Sequence, residues 1–248
     1  MSRFTLTFLA VLLTSAAALA QPTFRLGLRG GLNRASSTVE AANNSPSSPY
    51  YYSASKSAIY AWQAGAVLDV AFHRFSLQPA LVFSQKGEQF DAATSISGFA
   101  GVSSTETSTI NRYNWLELPV NVVYTRHGFQ VFAGPYVALG VGGRQHGTGK
   151  NTYSVGILGF QSYDFDGKIH YGSDTENRRL DAGVNFGLGY RKGSLQVQLG
   201  YGLGLRNLHQ QPEVNDLIIE CPRFSHDFNA DRAYNRVTQL TATYFFEL

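Results

Sequence analysis

The sequence predicts an all-β protein: an eight-stranded antiparallel up-and-down transmembrane β-barrel with short periplasmic turns and long extracellular loops. Three observations predict it. Eight segments alternate apolar and polar residues with a period of two, as strands do when successive side chains point to opposite faces. The polar face carries glycines and amides, not the Lys/Glu coat of a strand facing bulk water. Tight and long connections alternate strictly along the chain, the habit of barrels with short turns on one side of a membrane.

The clearest segment is 194–207. Leu195, Val197, Leu199, Tyr201, Leu203 and Leu205 form one face, and Gln196, Gln198, Gly200, Gly202, Gly204 and Arg206 the other. Seven more behave alike. Segment 24–33 sets Phe24, Leu26, Leu28 and Leu32 against Arg25, Gly27, Arg29, Gly31 and Asn33. Segment 60–72 sets Tyr60, Trp62, Leu68 and Phe72 against Gln63, Gly65 and Asp69. Segment 74–86 sets Phe75, Leu77, Leu81 and Phe83 against Ser76, Gln78 and Ser84. Segment 112–125 places Leu116, Leu118, Val120, Val122 and Tyr124 opposite Trp115, Glu117 and Asn121. Segment 128–141 places Phe129, Val131, Val137 and Leu139 opposite Gln130, Gly134 and Tyr136. Segment 179–191 alternates Leu180, Val184, Phe186, Leu188 and Tyr190 with Asp181, Gly183, Asn185 and Gly189. The last, 235–248, alternates Leu240, Ala242, Tyr244, Phe246 and Leu248 with Gln239, Thr241, Thr243 and Glu247. Each meets the roughly 9–11 residues a tilted strand needs to cross a bilayer.

The tight connections lie at His73-Arg74, Arg126-His127-Gly128 and Lys192-Gly193, and all are basic. The long ones, 34–59, 87–111, 142–178 and 208–234, are polar and are expected as external loops. They hold Tyr50-Tyr51-Tyr52, the Ser/Thr run 103–109 and the glycine-rich stretch 140–149. Both chain ends then fall on the periplasmic side. Pro79, Pro119 and Pro135 interrupt predicted strands, so each is expected beside a bulge or an unpaired carbonyl. A soluble barrel with its apolar face inward would leave those glycine-amide faces outside, which soluble surfaces do not show.

Composition agrees. Of 248 residues 44% are hydrophobic and only 15% charged, below the roughly 25% of soluble domains. After the N-terminus no apolar run reaches the length of about 18 residues that marks a membrane helix. A net charge of +3 with no basic-aromatic stripe gives no footprint for nucleic acid. Residues 1–20 read as a signal peptide: Arg3, an apolar core over 4–13, and Ala18-Leu19-Ala20 as a small-x-small cleavage site. Residues 21–248 are then one barrel domain. The single cysteine, Cys221, cannot form an internal disulfide.

Two short motifs carry a family resemblance. Trp115-Leu116-Glu117-Leu118-Pro119-Val120 is like an "LEIP" strand, and Ala133-Gly134-Pro135-Tyr136-Val137 is like an "AGPY" strand. On these the chain resembles the PorT-like outer membrane β-barrel proteins of Gram-negative bacteria, over its whole mature length. The resemblance implies fold more than function, and the secretion role behind the family's name is not carried over. The ending with Tyr244, Phe246 and Leu248 looks like the C-terminal signal read by the outer-membrane assembly machinery, which is the partner it implies during insertion.

Charges on the polar face define the candidate interior. Arg25, Asp69 and Glu247 fall near the periplasmic end. Glu117, Asp181 and Arg206 fall nearer the external end, with Arg29 between. Buried charges need partners, so two salt-bridged plugs are expected. An eight-stranded interior is just wide enough for side chains, which points to a filled, non-conducting lumen. At the external rim Arg34, Arg112, Arg178 and Arg179, with Arg206, are candidate contacts for lipopolysaccharide phosphate. His146, His170, His209 and His226 lie in the predicted loops, and no spacing ties any of them to a nucleophile and base. No catalytic, cofactor-binding or metal site is expected. The expected role is structural or binding, with outer-membrane lipid, lipopolysaccharide and an envelope protein as partners. A PorT-like accessory or a rim-site lipid-modifying enzyme are the alternatives.

Overall fold

The computed structural model describes residues 22–38, 50–98, 101–155, 157–171, 178–208 and 233–247. They form nine strands: β1 (Thr23–Ser37), β2 (Tyr50–Phe72), β3 (Phe75–Gly98), β4 (Gly101–Arg126), β5 (Phe129–Val155), β6 (Ile157–Ile169), β7 (Leu180–Lys192), β8 (Leu195–Gly204) and β9 (Asn235–Glu247). The sheet order is β4-β3-β2-β1-β9-β8-β7-β5-β6, and β4 also pairs with β5. Every pairing is antiparallel.

Each predicted strand has its counterpart, but the count of eight is corrected to nine. β6 arises from 142–178, expected as a loop: β5 runs on to Val155 and the chain returns along it, pairing Gly143↔Ile169 through Val155↔Ile157. β2, β3 and β4 likewise extend through Tyr51, the Ser/Thr run 103–109 and their neighbours, so these lie in strands rather than loops. The physical reason is that the extensions of β4 and β5 are polar on both faces, while the apolar face of β6 is limited to Tyr163, Phe165 and Ile169 within a polar stretch. None of these stretches sustains an apolar alternation across a whole membrane-spanning length, although Thr-rich stretches fit a pleated sheet well. The signal-peptide segment, Cys221, His209 and His226 lie outside the described residues.

Burial is inside out. Leu28 is 60% and Leu199 57% exposed, while Asp69 and Gln196 are fully buried and Gln198 is 3% exposed. Soluble monomers rarely expose continuous apolar area on this scale. The predicted faces are therefore the observed ones, with the polar face enclosed. Side chains on strands that are not sheet neighbours meet across it. Gln78 on β3 and Gln196 on β8 exchange amide hydrogen bonds at 3.2 Å. Such contacts require the sheet to be rolled around its polar face.

The three prolines do not produce bulges. The β3–β4 ladder passes from Pro79↔Val120 to Val82↔Glu117 without changing register. The β4–β5 ladder passes from Pro119↔Tyr136 to Val122↔Ala133, again in register. Register shifts occur elsewhere, at Ala58/Gln63 and Asn114/Trp115. Where the ladder lapses, the Val120 carbonyl crowds Gly134 so closely that a Cβ there would lie 2.0 Å from it. Only glycine fits that approach.

The short turns occur at the predicted places, and His73 and His127 adopt positive φ of 56° and 51°. They are tied to the neighbouring strands. The Thr125 amide donates to the Arg74 carbonyl, Arg191 to Gly128 and Phe245 to Ser194, each at 2.8 Å. The turns thus form one continuous edge. Just inside it, exposed Phe72, Phe75, Phe129, Tyr190, Tyr244 and Phe246 form an aromatic belt.

Candidate functional site

The enclosed polar face holds three groups stacked along its length. Nearest the short turns, Asp69 on β2 sits fully buried at the centre. It accepts from Arg191 Nη1 on β7 at 2.7 Å and from Gln78 Nε2 at 3.0 Å, and Arg25 Nη1 lies 3.8 Å away. The Arg191 guanidinium also stacks over the Phe245 ring, 4.5 Å from its centroid. Two cations on one carboxylate, with an amide bridge to the far wall, tie opposite sides of the roll together. Glu247 faces Arg25 in the β1–β9 register, but its side chain lies outside the described residues.

At mid-height Arg29 is buried and donates from Nε to Thr243 Oγ1 at 3.2 Å and from Nη2 to Gln198 Oε1 at 3.1 Å. Among the described residues it forms no ion pair. It faces a small cavity shared with Gln63, Glu117, Asn121, Asn185 and Gln198. Asn121 Oδ1, Asn185 Oδ1 and Gln198 Nε2 end there without hydrogen-bond partners. Buried polar groups of this kind are normally satisfied by water.

Nearer the other end Lys86 on β3 is the cation. Its Nζ lies 2.8 Å from Glu117 Oε1, 3.9 Å from Asp181 Oδ2 and 4.7 Å from the Tyr136 ring centroid. Asp181 Oδ2 also accepts from Tyr136 Oη at 3.1 Å and from Asn235 Nδ2 at 2.7 Å. Above this group Trp115 and Tyr171 meet edge to face, 5.5 Å between centroids, with Tyr113 and Leu208 packed against them. Gly140 leaves the space for the Tyr171 ring, since a Cβ there would lie 2.6 Å from it. Burial, with Asp181 as the lesser cause, pushes the Tyr171 phenol above its ordinary value.

The structure thus brings together Arg25 with Asp69, and Glu117 with Asp181, and leaves Arg29 between them. Arg206 joins neither group. It lies beyond the end of β8 and is exposed. The sequence pattern does not single out Lys86 and Arg191, although their phase marks both as inward. Lys86 is in phase with Ser76, Gln78 and Ser84, and Arg191 with Asp181 and Gly189. Each stands at a segment's end, where the alternation offers fewest neighbours to fix its face.

The rim arginines are dispersed. Arg34 and Arg179 are exposed, and Arg112 donates to the Tyr60 carbonyl at 2.9 Å. Arg178 lines the pocket beside Glu88, Trp115 and Tyr171. The register instead sets Arg112 opposite Arg144, and Arg144 opposite Lys168, a row of three cations across β4, β5 and β6. Arg144 is engaged by Asp166, and the guanidinium hydrogen bond holds that carboxyl below its ordinary range. His146 and His170 are exposed, and no group of three or more His, Cys, Asp or Glu side chains among the described residues could hold a metal. At the C-terminus the exposed Tyr244 and Phe246 rings meet edge to face, 5.2 Å between centroids, while Leu248 lies outside the described residues.

A family model described as outer membrane protein beta-barrel domain matches residues 19–210, well over half of the chain. The chain belongs to this outer-membrane β-barrel family. Membership makes it a protein of the outer membrane. Similar solved structures include Neisserial surface protein A, at 8% identity and a TM-score of 0.30, covering 89% of this chain and 97% of that one. The outer membrane protein OprG of Pseudomonas aeruginosa is 12% identical with a TM-score of 0.29, covering 92% and 99%. The translocator domain of the autotransporter NalP from Neisseria meningitidis is 7% identical with a TM-score of 0.27, covering 99% and 96%. No curated protein matches the chain.

Proposed function

We propose that this β-barrel protein is a closed, eight-stranded transmembrane barrel whose lumen is sealed. Its role is then structural or binding rather than catalytic or conducting. In this reading the β4–β5 pairing joins the two ends of the sheet, and β6 stands outside the ring with the projecting hairpins. One observation carries the sealed lumen. Asp69 with Arg25 and Arg191, Lys86 with Glu117 and Asp181, and the Trp115–Tyr171 contact occupy successive levels of the enclosed face. A water-filled pore needs a continuous clear path, and each of these levels obstructs one. Planar-bilayer recording of pure protein tests it. Silence is expected, and stable single-channel conductance overturns the proposal.

The projecting sheet of β2–β6 and the external rim are the proposed contact surface. The partners are lipopolysaccharide, through Arg34, Arg112, Arg178 and Arg179, and an envelope protein. Planar guanidinium groups suit phosphate, and Lys168 stands in the same cross-strand row as Arg112, beyond the Asp166-paired Arg144. Unchanged lipopolysaccharide binding after Arg112→Gln/Arg178→Gln would count against this. A PorT-like relationship belongs to the same proposal. The two motifs that support it are cross-strand neighbours, with Leu118 opposite Val137 and Pro119 opposite Tyr136.

A further inference from the structure

The edge formed by the short turns carries an unbalanced row of cations. Arg126 lies on β4 two residues beyond Tyr124, and Lys192 on β7 two residues beyond Tyr190. Residues two apart share a face, so both cations continue the outward face of the aromatic belt, about 7 Å further along. Their partners agree, since Arg126 pairs with Phe129 and Lys192 with Leu195, and both partners are exposed. Arg74, also exposed, occupies the adjoining turn, whose carbonyl holds the Thr125 amide beside Arg126. The Gly128–Arg191 hydrogen bond brings Lys192 to the same edge.

Nothing acidic balances this row among the described side chains. Asp69 is the acid at this end, and it is buried and taken by Arg25 and Arg191. His73 and His127 stand exposed beside the cations, at positive φ where glycine would be less strained. The edge therefore offers imidazole donors as well as fixed positive charge. Exposed aromatic rings with cations one step beyond them match the boundary between acyl chains and headgroups.

We infer that the short-turn edge binds anionic phospholipid headgroups, with Arg74, Arg126 and Lys192 as the contacts. The inference rests on the membrane reading given above. Charge complementarity selects the ligand: two outward cations at headgroup height, with the exposed Arg74 in the adjoining turn, favour a lipid with net negative charge over a zwitterionic one.

The test reconstitutes the full chain in vesicles of equal phosphatidylglycerol and phosphatidylcholine, extracts it in mild detergent and measures the lipid retained. Several-fold enrichment of phosphatidylglycerol is expected. Arg74→Gln/Arg126→Gln/Lys192→Gln should return the ratio to that of the vesicle, and each single substitution should move it part of the way. Loss of the enrichment in Arg34→Gln/Arg179→Gln, at the opposite rim, would place the selectivity there and overturn the inference. Absence of enrichment, or enrichment that survives the triple substitution, overturns the inference. Insertion is scored separately, by heat-dependent gel mobility after reconstitution in pure phosphatidylcholine. Failure there overturns the membrane reading itself, whereas insertion without selectivity overturns the headgroup site alone.

Discussion

Arg191 on β7 donates to Asp69 on β2 at 2.7 Å across the enclosed face. Strands β2 and β7 are not sheet neighbours, so this ion pair holds the roll together in a way no backbone ladder does. Asp69 is fully buried, and its charge is matched by cations on β1 and β7.

Removing that carboxylate leaves the Arg191 guanidinium, only 12% exposed, without its counter-ion. Asp69→Asn is expected to destabilise the folded protein by about 3–5 kcal/mol, the usual effect of deleting one member of a buried pair. Denaturant titration in lipid vesicles, followed by tryptophan fluorescence, measures it. A loss under 1 kcal/mol would mean the pair is dispensable.

Leu199 and Phe160 are both exposed, at 57% and 74%, but on different parts of the sheet. Leu199 stands within the apolar band on β8, and Phe160 on the projecting strand β6. Leu199→Arg is expected to cost about 2–4 kcal/mol if it faces the lipid midplane. Phe160→Arg, on the strand proposed to stand outside the ring, should stay within about 0.5 kcal/mol of the parent. Equal effects in the same vesicle titration would place both residues in one environment.

Gly134→Ala forces a Cβ against the Val120 carbonyl, at 2.0 Å in the present backbone. Strain of about 1–3 kcal/mol is expected from such overpacking. The heat-modifiable folded fraction after refolding should fall. An alanine variant that refolds as well as the parent would show that β4 and β5 separate easily beside the prolines.

The Arg144–Asp166 pair makes the β5–β6 hairpin sensitive to acid. The Asp166 carboxyl is held below its ordinary range, so its contribution is complete at neutral pH and is lost as pH falls through the lowered value. Amide exchange in this hairpin, corrected for the intrinsic pH dependence, should lose protection at acid pH. Arg144→Gln should abolish that difference while leaving β7 and β8 unaffected. Both groups are in water, so the effect is expected to be small and local.

How much could be read in the sequence depended on which physical signal a segment carried. β8 declared its faces through Leu195 to Leu203 against Gln196 to Gly204, because one side meets an apolar medium and the other does not. The upper half of β5 carries no such contrast, and in β6 it is confined to Tyr163, Phe165 and Ile169 against Ser162, Asp164, Asp166 and Lys168, a short run inside a polar stretch. Asp69, Glu117 and Asp181 were legible as inward acids. The identity of their partners was not, because Arg191 comes from a strand 122 positions away from Asp69, and Lys86 is not the residue that the β3–β4 register sets opposite Glu117.

The sequence by itself determined the eight alternating segments, the faces they present and the positions of the short turns. All of these follow from a local period of two and from turn chemistry. Only the tertiary structure decided the ninth strand, the choice of Lys86 over Arg206, and the meeting of Arg191 with Asp69. The physical reason is range: alternation is fixed between adjacent residues, whereas a partner across the roll depends on how the whole sheet curves.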